Sequence, residues 1–271
     1  MPELPEVETT LRGIAPSVVG RRVAAAVVRN PALRQPIPDL LPEILRGRKI
    51  LGLSRRGKYL LMAFRHGHLL LHLGMSGSLQ IVPVGTAPGR HDHLDIAVSG
   101  NILVRFNDPR RFGLALWVEG DPSAHPLLRN LGPEPLSDAF DGDYLYRRAR
   151  GRAIPVKAFL MDGKVVVGVG NIYAAEALFM AGVSPLRAAG KISRARYGAL
   201  ADAARLVLAL AIEQGGTTLR NFVGGDGKPG YFKQQLHVYG RGGEACTVCQ
   251  STLKNVVIGQ RSSVYCASCQ R

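Results

Sequence analysis

Four cysteines, all near the end of the chain, constrain its folding more than any other feature. They fall as Cys246-x-x-Cys249 and Cys266-x-x-Cys269, with sixteen residues between the pairs. Two disulfides would satisfy the count, but paired C-x-x-C spacing is the pattern of a tetrahedral zinc site. Four thiolates leave no open coordination position, so the expected zinc is structural. The surrounding "YGRGGEACTVC…VIGQRSSVYCASCQR" reads as a metal-bound β-hairpin with Arg261 on its returning arm. A rigidly held arginine suits a phosphate clamp, and the same hairpin also serves as a folding staple.

Upstream the periodicity changes twice. "PEVETTLRGIAPSVVG" carries Val7, Leu11, Ile14 and Val18 at helical intervals and ends on Gly20. From Val23 to Val118 the chain breaks into short β-rich runs, among them "KYLLMAF", "HLDIAV" and "NILVRF", punctuated by Gly, Pro, Asn and Asp. Beyond "HPLLRNLGPEPLSDAFDGDYL" the pattern is helical, at about 157–162, 171–181, 193–214 and 217–222. The expected class is α+β, with a helix, an antiparallel sandwich, a helical region and a zinc finger. No apolar run reaches the ~20 residues of a membrane span, and the acidic start is unlike a signal peptide, so a cytoplasmic location is expected.

Charge narrows the partners. Thirty-five Lys+Arg against twenty Asp+Glu give a formal net charge of +15. Such an excess, mostly arginine, predicts a polyanionic partner, although an arginine-rich proteome produces the same balance. No basic amphipathic helix supports a membrane-surface role.

Several short stretches fit that partner. In "FNDPRRFG" the Asn-Asp-Pro turn projects Arg110, Arg111 and Phe112 from a loop able to enter a base stack; a hairpin with a core phenylalanine fits equally well. "LGMSGS" puts Met75 in a glycine-flanked bend, where core filler is the plainer reading. Lys58 in "RRGKYLL" stands beside Arg55 and Arg56, as a phosphate-binding stripe or a solvated cluster. In "HDHLD", His91 and His93 share a strand face, which suggests phosphate contact more than metal. "VGVGNIYAAE" turns on glycines into a helix starting at Asn171, suited to an anion or to a plain cap.

Together these stretches resemble the formamidopyrimidine-DNA glycosylases, bacterial enzymes that excise oxidised purines. The likeness runs nearly end to end through "PELPEVET", "RRGKYLL", "HLGMSGSL", "HDHLD", "NDPRRFG", "LGPEPLS", "GVGNIYA", "EQGGTTLRNFV", "DGKPGYF", "VYGR" and "GQRSSVYCASCQR". Two departures, Gly163 and Ala175, stand where the family commonly has Gln and Ser. The resemblance implies a catalytic helix and β-sandwich over 1–132, a linker and helix–two-turn–helix region over 133–236, and a zinc finger over 237–271, with DNA in the cleft.

It also gives the acidic start a purpose. In the family the initiator methionine is removed and the exposed proline, here Pro2, is the nucleophile, with Glu3 as proton-transfer group and Glu6 supporting it. An α-amine has a pKa near ~8, far below that of lysine, so part of it is unprotonated at neutral pH. From the residues alone, the same stretch is an ordinary helix start. The resemblance assigns Lys58 and Arg261 to the catalytic set. It makes His72, His91, Arg110 and Asn171 DNA contacts, and Met75, Arg110 and Phe112 the wedge that fills the gap left by the extruded base. Thr217, Thr218 and Tyr231 fall in its lesion loop, and Cys246, Cys249, Cys266 and Cys269 bind its zinc.

The implied partner is damaged double-stranded DNA, met by a monomer with no small-molecule cofactor. The implied activity is 8-oxoguanine and formamidopyrimidine excision followed by β,δ-elimination. One alternative is an endonuclease VIII-type enzyme for oxidised pyrimidines. That type usually starts Pro-Glu-Gly-Pro-Glu and lacks the arginine–phenylalanine wedge. Another is a non-enzymatic zinc-containing DNA-binding protein, which leaves Pro2 without a role. A zinc deaminase lacks its His-x-Glu and open metal position.

Overall fold

The computed structural model describes residues 2–217 and 236–271. They form two compact units, residues 2–129 with 214–217 and residues 130–213 with 236–271. No helix among the described residues is long and apolar enough to cross a membrane.

The first unit opens with α1 (Leu4–Val18), followed by β1 (Val23–Val28), a short α2 (Leu41–Leu45) and seven further strands. These are β2 (Gly52–Arg56), β3 (Tyr59–Phe64), β4 (Gly67–His72), β5 (Ser78–Pro83), β6 (Asp92–Val98), β7 (Ile102–Asn107) and β8 (Leu114–Glu119). They pair antiparallel into two four-stranded sheets, β2-β3-β4-β8 and β1-β6-β7-β5. Alternate residues of each strand face inward. Leu60, Met62 and Phe64 of β3 share one core with Ile96 of β6 and with Val104 and Phe106 of β7. Val7, Ile14 and Val18 of α1 enter the same core, as the helical spacing predicts. Burying each such side chain contributes roughly 1.5–3 kcal/mol.

The connectivity brings two loops together. The run "HLLLHLGMSGSLQIV" is two strands, because the chain leaves one sheet after His72 and enters the other at Ser78. The chain crosses back between β7 and β8. Since β4 pairs with β8 (His72↔Leu114) and β5 with β7 (Ser78↔Asn107), the two crossings run side by side at one end of the sandwich.

The second unit holds α3 (Gly142–Ala149), α4 (Val156–Leu160), α5 (Asn171–Met180), α6 (Arg194–Glu213) and the hairpin of β9 (Lys254–Ile258) and β10 (Arg261–Tyr265). Helix α5 is buried all round from Ile172 to Phe179, its apolar run interrupted only by Glu176, whose carboxylate is hydrogen-bonded. The β9–β10 turn is Gly259-Gln260, with φ +54° and +62°, the left-handed pair of a two-residue hairpin. Ala175 and Phe179 of α5 pack against Val238, Leu253 and Val264, seating the hairpin on the helix.

The α+β expectation is met. Two helices were not announced by periodicity. Helix α2 has five residues and α3 eight, and α3 depends on Asp141, whose carboxylate accepts from the Tyr144 amide at 2.6 Å.

Candidate active site and nucleic-acid interface

At the start of α1, Pro2 and Glu3 are both buried. Glu3 is the N-cap and closes a capping box with Glu6. One oxygen of Glu6, Oε2, accepts from the Glu3 amide at 2.8 Å. The other, Oε1, accepts from the Thr217 amide at 2.8 Å and the Thr217 hydroxyl at 3.0 Å. Glu6 is 1% exposed and thus fastens the first turn of α1 to a residue 211 positions away. The same turn presents the positive end of the helix dipole.

Lys58 lies in the two-residue turn between β2 and β3, one residue before the strand that its sequence suggested. Arg55, expected beside it on a phosphate stripe, instead donates to Glu8 Oε2 at 2.8 Å and to the Gly57 carbonyl at 3.0 Å. Across the sheet, Tyr59 pairs with His72, and their rings lie 4.9 Å apart. His72 Nδ1 accepts from the Gly74 amide at 3.0 Å, which leaves Nε2 to carry the ring proton. Burial, with Lys58 and Arg34 nearby, pushes the His72 pKa down to about 4. His72 is therefore a neutral hydrogen-bond donor at neutral pH. Arg34, His72, Gly74, Met75 and Phe112 line a hollow of about 380 Å³.

The two sheet crossings carry Met75 and the Arg110–Phe112 segment. Met75 is 40% and Phe112 45% exposed, while the Arg110 guanidinium stands 5.0 Å above the Phe112 ring. His91 is half-buried, and its carbonyl accepts from the Asp108 amide at 2.9 Å. His93 is buried with Nε2 2.8 Å from the Asp108 carbonyl, so it is committed to the loop.

In the second unit, Asn171 is the first residue of α5, and its Nδ2 donates to the Ser262 carbonyl at 3.1 Å. Arg261 Nη1 lies 3.8 Å from Met161 Sδ. Lys157, 1% exposed, donates from Nζ to Ser263 Oγ at 2.7 Å. Three consecutive residues of β10 are thus docked onto the helical region. Glu176 fixes the approach to the finger, accepting from the amides of His237, Val238 and Tyr239 at 2.8–3.0 Å.

The cysteines converge. Their four sulfurs lie within 4.8 Å of one another, the only group among the described residues able to hold a metal. Tetrahedral Zn–S bonds of about 2.3 Å separate the sulfurs by roughly 3.8 Å. Separations of 4.0 Å for Cys246–Cys269 and 3.4 Å for Cys249–Cys266 fit that ion.

Of the residues the resemblance assigns to a lesion loop, Thr217 is hydrogen-bonded to Glu6, whereas Thr218 and Tyr231 lie outside the described residues. Five residues to which the sequence assigned no site role hold or border these sites. Asp108 and Ser76 organise the crossings, Arg34 borders the hollow, and Lys157 and Glu176 support the hairpin. Only Asp108 had a local signal, the Asn-Asp-Pro turn itself.

Comparison with known proteins locates this arrangement. Residues 1–115 match the formamidopyrimidine-DNA glycosylase N-terminal domain, and residues 131–223 match the formamidopyrimidine-DNA glycosylase H2TH domain. The formamidopyrimidine-DNA glycosylase of Hahella chejuensis is 58% identical over 271 residues, covering 100% of both chains. Among solved structures, the MutM (Fpg) protein of Thermus thermophilus is 40% identical with a TM-score of 0.89, covering 99% of this chain and 98% of the other. A Lactococcus lactis Fpg mutant, solved with DNA containing Fapy-dG, is 29% identical with a TM-score of 0.93, covering 100% of both.

Proposed function

The chain belongs to the formamidopyrimidine-DNA glycosylase family, and from that premise we propose which of its residues carry out the excision of damaged purines from DNA. It is a base-excision repair glycosylase, and damaged duplex DNA is its substrate. The observation that carries the residue assignment is the first turn of α1, where Pro2 precedes a buried Glu3 held by Glu6.

Removal of the initiator methionine exposes the Pro2 secondary amine. Its lone pair attacks C1′ of the lesion nucleotide, the glycosidic bond breaks with its electron pair going to the damaged base, and the base takes up the proton that the proline nitrogen gives up. Glu3 delivers a proton to O4′ as the C1′–O4′ bond opens, which leaves an iminium between C1′ and the proline nitrogen. That cation acidifies the C2′ hydrogen. Loss of this proton expels the 3′ phosphate at C3′, and a second elimination expels the 5′ phosphate at C5′. Water finally hydrolyses the iminium and restores the amine. Glu6 holds Glu3 in place throughout.

The base must first leave the stack. Met75, Arg110 and Phe112 fill the vacated space, supported by the exposure of Met75 and Phe112 beside a stacked guanidinium. Lys58, His72, His91, Asn171 and Arg261 grip backbone phosphates, and Lys58 and Arg261 belong to the catalytic set. Thr217, Thr218 and Tyr231 form part of the segment facing the lesion. A zinc ion held by Cys246, Cys249, Cys266 and Cys269 keeps the Arg261 hairpin folded and takes no part in the chemistry. The protein works as a monomer in the bacterial cytoplasm, organised over 1–132, 133–236 and 237–271.

The wedge, together with the "PELPEVE" start, favours purine lesions over oxidised pyrimidines. Purified protein should excise 8-oxoguanine opposite cytosine far faster than thymine glycol. The opposite preference would reassign it to the pyrimidine branch.

A further inference from the structure

The β4–β5 and β7–β8 loops that cross between the sheets are joined by one buried carboxylate. Asp108 is 0% exposed. Its Oδ1 accepts from the Ser76 hydroxyl of the β4–β5 crossing at 2.9 Å and from the Arg110 amide of its own crossing at 3.3 Å. Its Oδ2 accepts from the Gly113 amide at 2.8 Å. Ser76 Oγ in turn accepts from the Arg110 amide at 3.3 Å. With both oxygens occupied, Asp108 is a structural acceptor and not a proton carrier.

Backbone contact reinforces the joint. Gly74 has φ +63°, and a Cβ there would lie 2.6 Å from Gly113 N and 2.6 Å from the Phe112 carbonyl carbon. A Cβ on Gly113 would lie 2.7 Å from the His72 carbonyl oxygen. The loops therefore touch main chain to main chain, at positions where only glycine fits. Arg111, at φ +57°, completes the bend that leads into Phe112.

We infer that Ser76 and Asp108 are positioning residues, which lock the Met75 loop and the Arg110–Phe112 loop into a single preassembled wedge. This rests on the wedge role argued above. Separate loops would each have to be ordered as the stack opens. A joined pair is ordered on folding, so insertion meets only the cost of unstacking the bases.

The test uses full-length protein on duplex DNA carrying 8-oxoguanine, with 2-aminopurine beside the lesion to report unstacking. Ser76→Ala removes one hydrogen bond to a carboxylate, so 8-oxoguanine excision and the fluorescence rise should both slow by about tenfold. Incision of a preformed abasic site, which has no base to unstack, should change less than twofold. Ser76→Thr, which keeps the hydroxyl, should recover most of the loss. A double-mutant cycle between Met75→Ala and Phe112→Ala should show coupling in the parent protein and none on a Ser76→Ala background.

Equal loss on both substrates, or coupling that survives Ser76→Ala, overturns the inference. If Met75→Ala and Phe112→Ala themselves leave 8-oxoguanine excision unchanged, the wedge role fails, and the inference fails with it. Asp108→Asn, with its unfolding midpoint measured alongside, is the second variant. It should mimic Ser76→Ala where the fold persists, and parent-like kinetics in a folded Asp108→Asn protein would contradict the joint.

Discussion

Glu6 Oε1 takes two hydrogen bonds from Thr217, one from its amide and one from its hydroxyl, while Oε2 holds the Glu3 amide. A single buried carboxylate therefore ties the turn carrying the proposed nucleophile to Thr217, a residue of the proposed lesion loop. Thr217→Val removes the hydroxyl bond and keeps the amide bond, and should cost about 0.5–1.5 kcal/mol in transition-state stabilisation. Glu6→Gln should cost more, because one of its three donors would then face an amide NH2. In a kinetic double-mutant cycle, Thr217→Val should add little on a Glu6→Ala background, where its hydroxyl has lost the acceptor.

His72 gives a pH signature. Its folded pKa sits near 4, below the ordinary histidine value, so the folded state keeps the ring neutral where the unfolded chain binds a proton. This contribution to stability is complete above the unfolded pKa near ~6.5 and is lost as pH falls from there toward 4. The unfolding midpoint of the parent protein should drop between pH 7 and pH 5 more than that of His72→Gln. An NMR titration of free protein that placed His72 near 6.5 would refute the assignment.

Arg34 tests the electrostatic reading of the hollow beside the wedge. Its guanidinium makes no hydrogen bond or ion pair among the described residues, and its charge bears on both His72 and Tyr59. If it meets a phosphate, Arg34→Ala should lower the slope of log affinity against log salt by about one. An unchanged slope would leave Arg34 with solvent alone.

Much of this was legible in the sequence because it is local. Cysteine spacing, the helical stripe of α1, strand alternation, and the glycine-flanked bend at Met75 each occupy a few adjacent residues. What stayed hidden was set by topology. Nothing near Glu6 points to Thr217, and nothing near Ser76 points to Asp108 until β4 pairs with β8 and β5 with β7. Helix α3 went unseen because eight residues, with only Leu145 and Ala149 buried, give barely two turns of periodicity. The family likeness gave Pro2 its role, since a proline ahead of two acids is otherwise a common way to begin a helix.

Glu176 offers a check on the hairpin's seat. Its carboxylate takes three backbone amides in a row, and Glu176→Gln would turn an NH2 toward at least one of them. A loss of about 1–3 kcal/mol is expected in equilibrium unfolding, with faster release of the metal bound by the four cysteines to a chelator. Normal metal retention and stability would remove Glu176 from the account.

We propose above all that the Pro2 nitrogen bonds to the sugar. Borohydride added during reaction with 8-oxoguanine DNA should trap a covalent protein–DNA adduct, and mass analysis of its peptides should place the sugar remnant on Pro2. An adduct mapped to a lysine, or full strand nicking by protein whose Pro2 nitrogen is permanently acylated, would contradict it.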